Sequence, residues 1–304
     1  MKNLRFHLRE IISVSFSLAL LSLTACRTDN VRPATEEDHQ ILTGKDYDPE
    51  GGADAYACRG DNPNSIYYGN PDYYSLKPDS NLILIPRFRT MQQTTEWSCG
   101  DVCVLLLLHH FGCVDHATEE SLAVALNSMT DRGKPGAKPG SARKYADYGT
   151  RLEELFRYFD ALPQLEVVAS SYRTLYTDAD LVKPGDPYPQ CDYGNLYPTF
   201  RTMDTFSLWL ATQLRARCPV MVEWSDWDGH WVLIIGIDYN GTPDFTGDDT
   251  LIFADPYDTS DHRQDGYSIA PLERFFCMWK DRAIEPKPYQ LQPFIVVDKI
   301  NQNK

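Results

Sequence analysis

The hydrophobic pattern changes character in steps along the chain. A basic start (Lys2, Arg5, Arg9) leads into the apolar run Ile11–Leu23, broken only by serines, and small residues come after it. Such a run is short of the roughly 20 residues a membrane span requires, and with its basic flank it reads as an export signal. Residues 27–80 are polar and rich in Asp, Asn, Pro, Gly and Tyr. Their first part, to Glu50, reads as a tether, and Tyr67–Tyr74 as an ordered N-terminal extension packing on the folded domain. Leu82–Pro86 is a short apolar run that suits an edge strand. Cys99–Phe111 is apolar almost without interruption, which predicts a helix buried on most sides, with Gly112 in the left-handed position after it. Thr118–Met129 predicts a second helix capped by Thr118, and Tyr148–Leu162 a third, amphipathic one with Thr150 as its cap. Residues 133–140 read as a loop and residues 178–198, rich in Pro, Asp and Tyr, as an insertion. Thr205–Arg217 again has helical spacing. The period then shortens: Pro219–Trp224, Trp231–Ile237, Leu251–Ala254 and Phe294–Val297 are β-rich and predict an antiparallel sheet. Helices first and strands second predict an α+β fold in which a buried helix packs on a C-terminal antiparallel sheet.

Composition narrows the classes of function. The 304 residues carry a formal net charge of -14, and because residues 1–25 carry +2 the remainder carries -16. An acidic body without a basic stripe repels nucleic acid, so no nucleic-acid partner is expected. Of the eight cysteines, Cys103, Cys113 and Cys218 lie in apolar settings that suit buried thiols. An exported context also permits disulfides among Cys58, Cys191, Cys277 and the others, with the pairing left open.

The candidate chemistry centres on Cys99. A thiol nucleophile needs a stabilised thiolate, a base, and donors for the oxyanion. Cys99 falls in the first turn of the apolar helix, where unpaired N–H groups and the helix dipole favour negative charge. Gly100 leaves room for a substrate carbonyl, and Gln93 offers an amide donor near the same helix start. His230 opens an apolar strand, and Asp255 ends the next one, from where it could accept the Nδ1–H of His230 and fix its tautomer.

These residues sit in recognisable segments. Leu23-Thr24-Ala25-Cys26 resembles a bacterial lipobox, which implies that Cys26 carries a diacylglycerol anchor after removal of residues 1–25. Q-T-T-E-W-S-C-G (Gln93–Gly100), G-H-W-V-L-I-I-G-I-D (Gly229–Asp238) and A-D-P-Y-D (Ala254–Asp258) resemble the motifs of papain-like cysteine peptidases, in particular cysteine-peptidase family thirty-nine. Its best-known members process double-glycine leader peptides. The resemblance spans roughly residues 85–297. It implies an α+β papain-like (cysteine proteinase) fold over residues 81–300, behind a lipidated tether and extension at 26–80. It also implies Cys99 as nucleophile, His230 as base, Asp255 as orienting acid and Gln93 in the oxyanion hole. No cofactor or metal is implied; the expected partners are a peptide or protein substrate and a membrane, through Cys26, with the chain a monomer in the cell envelope. Two features depart from the family. Asp101 comes after Cys-Gly where a small residue or Pro is usual, and the leader-processing members are fused to a transporter that this chain does not carry.

Other readings compete at several positions. His109 and His110, with Cys103 and Cys113, suggest a metal site, but the spacing fits no zinc motif and a plain helix end is expected. Trp224, Trp227 and Trp231 could wall a groove or fill the core, and Asp226 and Asp228 read as a solvated loop. The acidic turn Asp244–Asp249 lacks a calcium-loop pattern. At the level of function, acyl transfer on the same residues and a non-catalytic surface binder are the alternatives to hydrolysis.

Overall fold

The computed structural model describes residues 71–128, 149–172, 199–226, 229–260, 264–281, 284–285 and 289–300. The export signal with Cys26, the tether, the 133–140 loop and the 178–198 insertion lie outside the described residues. In chain order the elements are β1 (Leu82–Leu84), α1 (Cys99–Phe111), α2 (Glu119–Ala125), α3 (Leu152–Asp160), β2 (Leu165–Ser170), α4 (Met203–Arg215), β3 (Val220–Trp224), β4 (His230–Asp238), β5 (Thr250–Ala254), β6 (Tyr267–Pro271), α5 (Leu272–Met278) and β7 (Phe294–Lys299). The strands form one sheet in the order β2-β7-β3-β4-β5-β6, with β1 beside the second half of β4. Every pairing is antiparallel. The fold is α+β.

α1 is the helix read from the sequence, and Gly112 ends it with φ 66°. All its residues but His109 and His110 are buried, because an apolar surface on every side leaves no face for water. It packs on β4, itself buried from His230 to Ile237. β4 is flanked along its whole length: β3 pairs with residues 230–234 and β1 with 236–238 on one edge, and β5 pairs on the other.

The other helices refine the expectations. α2 begins at the Thr118 cap, whose reciprocal bonds with Ser121 form a capping box, but stops at Ala125, ahead of a left-handed Asn127 (φ 56°). α3 starts at Leu152, after Arg151, with no side-chain cap. Thr150 is not its cap, because the hydroxyl is engaged in a buried network with Ser128 and Asp101. α3 buries Leu152, Leu155, Phe156 and Phe159, one stripe at helical spacing. α4 lies two residues upstream of the expected span, since Thr202 supplies the cap and the chain turns at Arg217 (φ 62°). Its Phe206 joins Phe275, Trp279 and Phe200 in an aromatic cluster over the sheet. The hydrophobic pattern did not reveal β2, β6 or α5. β2 has exposed and half-exposed residues between buried ends, and the two others are short.

Tyr73 and Tyr74, the described end of the expected Tyr67–Tyr74 extension, pack against the core, while residues 67–70 lie outside the described residues. Cys99, Cys103, Cys113 and Cys218 are free thiols, Cys113 half-buried and the others buried. Cys277 is disulfide-bonded, with its partner outside the described residues. No described helix is long and apolar enough to cross a membrane.

Leu107 is fully buried in the middle of α1. Leu107→Ala is expected to lower unfolding stability by about 2–5 kcal/mol, read from urea denaturation.

Candidate active site

The site forms where α1 and β4 begin and β5 ends. Cys99 is the first residue of α1 and His230 the first of β4. Asp255 comes directly after Ala254, the last residue of β5, which is the antiparallel neighbour of β4. This register brings Asp255 Oδ1 to 2.7 Å from His230 Nε2. The expected contact through Nδ1 is corrected: Asp255 meets the outer ring nitrogen, as the β4–β5 register places the acid just past the end of β5. Cys99, at the start of α1, lies close enough to His230 to raise the pKa of the imidazole together with Asp255. Cys99 is 7% exposed and His230 3% exposed, so the pair lies in a low-dielectric setting where charge interactions are strong.

Asp255 is held by three donors. Besides His230, the Tyr257 N–H donates to Oδ1 at 2.9 Å and the Ser268 hydroxyl to Oδ2 at 2.8 Å. Burial would raise its pKa, but the His230 charge and these hydrogen bonds bring it below the ordinary value. For His230 burial alone favours the neutral ring, yet the Asp255 carboxylate and the Cys99 contact outweigh it and push the imidazole up to about 10. Gly229, just before it, has φ 125°, and a Cβ there would stand 2.8 Å from Asp281 Oδ2, so only glycine delivers His230 into this position.

The segment leading to Cys99 is organised from α2, which sequence reasoning missed. Glu119, buried at the start of α2, accepts from the Thr94 N–H and hydroxyl at 3.0 Å each and from the Ser98 hydroxyl. Thr95 adds a bond from its hydroxyl to Ser98 Oγ and accepts from the Ser98 N–H. Ser98 occupies the N-cap of α1 without capping it, because its hydroxyl is turned to Glu119. The first-turn N–H groups of α1 consequently have no side-chain cap at the point where the Cys99 sulfur sits. Gln93 is buried, and its main-chain N–H donates to the carbonyl of Pro256, next to Asp255. Its carboxamide Nε2 donates to the Thr95 carbonyl at 2.7 Å, which commits one of its two N–H bonds and fixes the amide beside the nucleophile segment. Gly100 does not open space for a carbonyl: the Thr150 side chain fills it, at 2.6 Å from where a Cβ would be.

Asp101 is fully buried, and Oδ1 accepts the Ser128 hydroxyl at 2.6 Å and the Thr150 hydroxyl at 3.3 Å. Burial, reinforced by the Glu119 charge, pushes its carboxyl well above the usual range against these hydrogen bonds. Glu223, opposite Trp231 on β3, is likewise buried, and burial followed by the charges of Asp281 and Glu285 drives its carboxyl strongly toward the neutral acid.

The remaining candidates separate. Trp224 and Trp231 are core residues; the Trp231 indole N–H donates to the Thr150 carbonyl at 2.8 Å. Trp227 and Asp228 lie outside the described residues. His110 meets the Arg217 carbonyl at 2.8 Å, and among the described residues no group of three or more His, Cys, Asp or Glu is arranged to hold a metal. Comparison with protein-family models, curated proteins and solved structures finds no match.

The His230–Asp255 pair predicts a definite pH dependence of stability. The folded state binds the His230 proton more tightly than the unfolded chain, whose histidine titrates near about 6.5. That stabilisation is complete below about pH 6.5 and is lost as pH rises toward about 10. Asp255 contributes in the opposite sense: its share is present above about pH 3.9 and is lost as pH falls through its lowered folded value. Urea midpoints are expected to fall between neutral and alkaline pH in the wild type, and more shallowly in Asp255→Asn.

Proposed function

We propose that the chain is an exported, lipid-anchored cysteine hydrolase of papain-like fold that cleaves a peptide or related amide bond. The observation that carries this reading is the buried His230, hydrogen-bonded to Asp255 and influenced by Cys99 at the start of α1. The three motif segments Gln93–Gly100, Gly229–Asp238 and Ala254–Asp258 meet at this point, through the Gln93–Pro256 and His230–Asp255 bonds.

In the proposed reaction the Cys99 sulfur attacks the amide carbon and forms a tetrahedral oxyanion. The oxyanion is met by the uncapped N–H groups at the start of α1 and by the uncommitted N–H of Gln93. His230, held as imidazolium by Asp255, gives its proton to the leaving amine as the C–N bond breaks, leaving a thioester on Cys99. His230 then takes a proton from water, whose oxygen attacks the thioester carbon. The C–S bond then breaks, the carboxylic acid leaves, and the starting proton arrangement of Cys99 and His230 is restored. Export and anchoring rest on the apolar run Ile11–Leu23 and the Leu23–Cys26 segment.

Alkylation of Cys99 by iodoacetamide, read by site-resolved mass spectrometry, tests the site directly. At mildly acidic pH the wild type is expected to react at least about tenfold faster than His230→Ala. Equal rates would leave a non-catalytic binder. On a cleaved peptide library Cys99→Ala should abolish turnover with an unchanged circular dichroism spectrum, and Asp255→Asn should lower kcat by about 10²–10⁴-fold. For the anchor, the intact mass of the protein purified from membranes should match a chain that begins at a diacylglyceryl-modified Cys26; a free thiol there would reject it.

A further inference from the structure

A cavity lies at the end of β4 away from His230. It measures about 590 Å³ and opens between the start of α4, the β4–β5 connection and Asn81. Its walls include Asp204, Ser207, Leu208, Tyr239, Thr246 and Asp249. The length of β4, His230–Asp238, separates the two sites, roughly 26 Å at about 3.3 Å per residue. The volume falls within the range of about 300–1,000 Å³ typical of small-ligand sites.

The floor of the cavity is Asp249. Only 2% of the residue is exposed, and its side chain makes no hydrogen bond or ion pair among the described residues. Its backbone is fixed, since the Leu272 N–H donates to its carbonyl at 2.7 Å and its own N–H donates to the Thr246 carbonyl. With no donor among the described residues, the carboxylate is satisfied only from the cavity side. The surroundings add negative charge. Burial first, then the charges of Asp248, Asp204 and Asp238, push Asp249 up to about 6. These three neighbours meet only neutral donors: Asp248 and Asp204 accept threonine hydroxyls, and Asp238 the Asn240 N–H. None of the four carboxylates has a Lys or Arg partner among the described residues.

The electrostatics of the cavity therefore favour a cation. The carboxylates do not converge as ligands of one metal ion would, for no such group occurs among the described residues. The lining is instead partly apolar, with Leu208 of α4 73% exposed and Tyr239 half-buried. A carboxylate floor below an apolar and aromatic wall matches a cationic head on a hydrocarbon stem.

We propose that this cavity binds an organic cation, an ammonium or guanidinium group on an apolar stem the size of a lysine or arginine side chain, seated against Asp249. The site is distinct from the Cys99 centre and does not depend on the catalytic reading. The cation has two sources, a basic side chain of a bound polypeptide or a free alkyl amine.

Isothermal titration calorimetry of the full chain at low ionic strength tests it with two probes, Nα-acetyl-lysine N-methylamide and pentane-1,5-diamine. Saturable binding of either supports the site, and the tighter of the two identifies the source. The Nε-acetylated form of the lysine probe should bind at least about tenfold more weakly, as should the lysine probe itself to Asp249→Asn. Asp204→Asn, at an exposed position, should weaken binding about threefold, and Cys99→Ala should leave it unchanged. Absence of binding by both probes, equal binding of the acetylated form, unchanged affinity in folded Asp249→Asn and Asp204→Asn, or displacement by stoichiometric calcium would each overturn the proposal.

Discussion

A helix that is apolar on every side is stable in water only when protein surrounds it, and α1 imposes that condition on the rest of the chain. β4 covers it from the sheet and α2 from its flank, while the loop before it is tied down by buried hydrogen bonds to Glu119. Because α1 has no freedom to turn an apolar face outward, its first residue has one address, against the start of β4. The placement of Cys99 beside His230 is thus a consequence of hydrophobic burial, at about 25 cal/mol per Å² of apolar surface, rather than of the weak forces between the two side chains.

Electrostatic states near Cys99 depend on partners more than on residue type. Asp255 and Asp101 are both buried carboxyls. Asp255 meets an imidazole, a hydroxyl and a backbone N–H, and stays ionised. Asp101 meets two hydroxyls on one oxygen and nothing on the other, and burial drives it toward the neutral acid. Glu223, with neither oxygen in a geometrically sound hydrogen bond, goes the same way. Near Cys99 the protein thereby keeps Asp255 charged where it orients His230, while burial favours the neutral acid at Asp101 and Glu223.

Much of the frame was legible because it is local. The continuous apolar run of α1, the Gly112 stop, the Thr118 cap and the β-rich runs of β3, β4, β5 and β7 each arise from propensity and period over a few residues. β2 was missed because its alternation is partial, and Thr150 was misread because a hydroxyl that could cap a helix also satisfies a buried acid. Ser98 stands at the N-cap yet serves Glu119, 21 residues away, which no local rule anticipates.

Taken alone, the sequence determined which segments had to be buried and which residue types could perform thiol chemistry, since both depend on side-chain chemistry along a short stretch of chain. Only the tertiary structure decided that the outer nitrogen of His230 meets Asp255, that Thr150 occupies the space beside Gly100, and that Asp249 is left without a donor at the far end of β4. Those outcomes depend on strand register and on which distant groups share a buried volume, and distance in space is set by packing that no single segment carries.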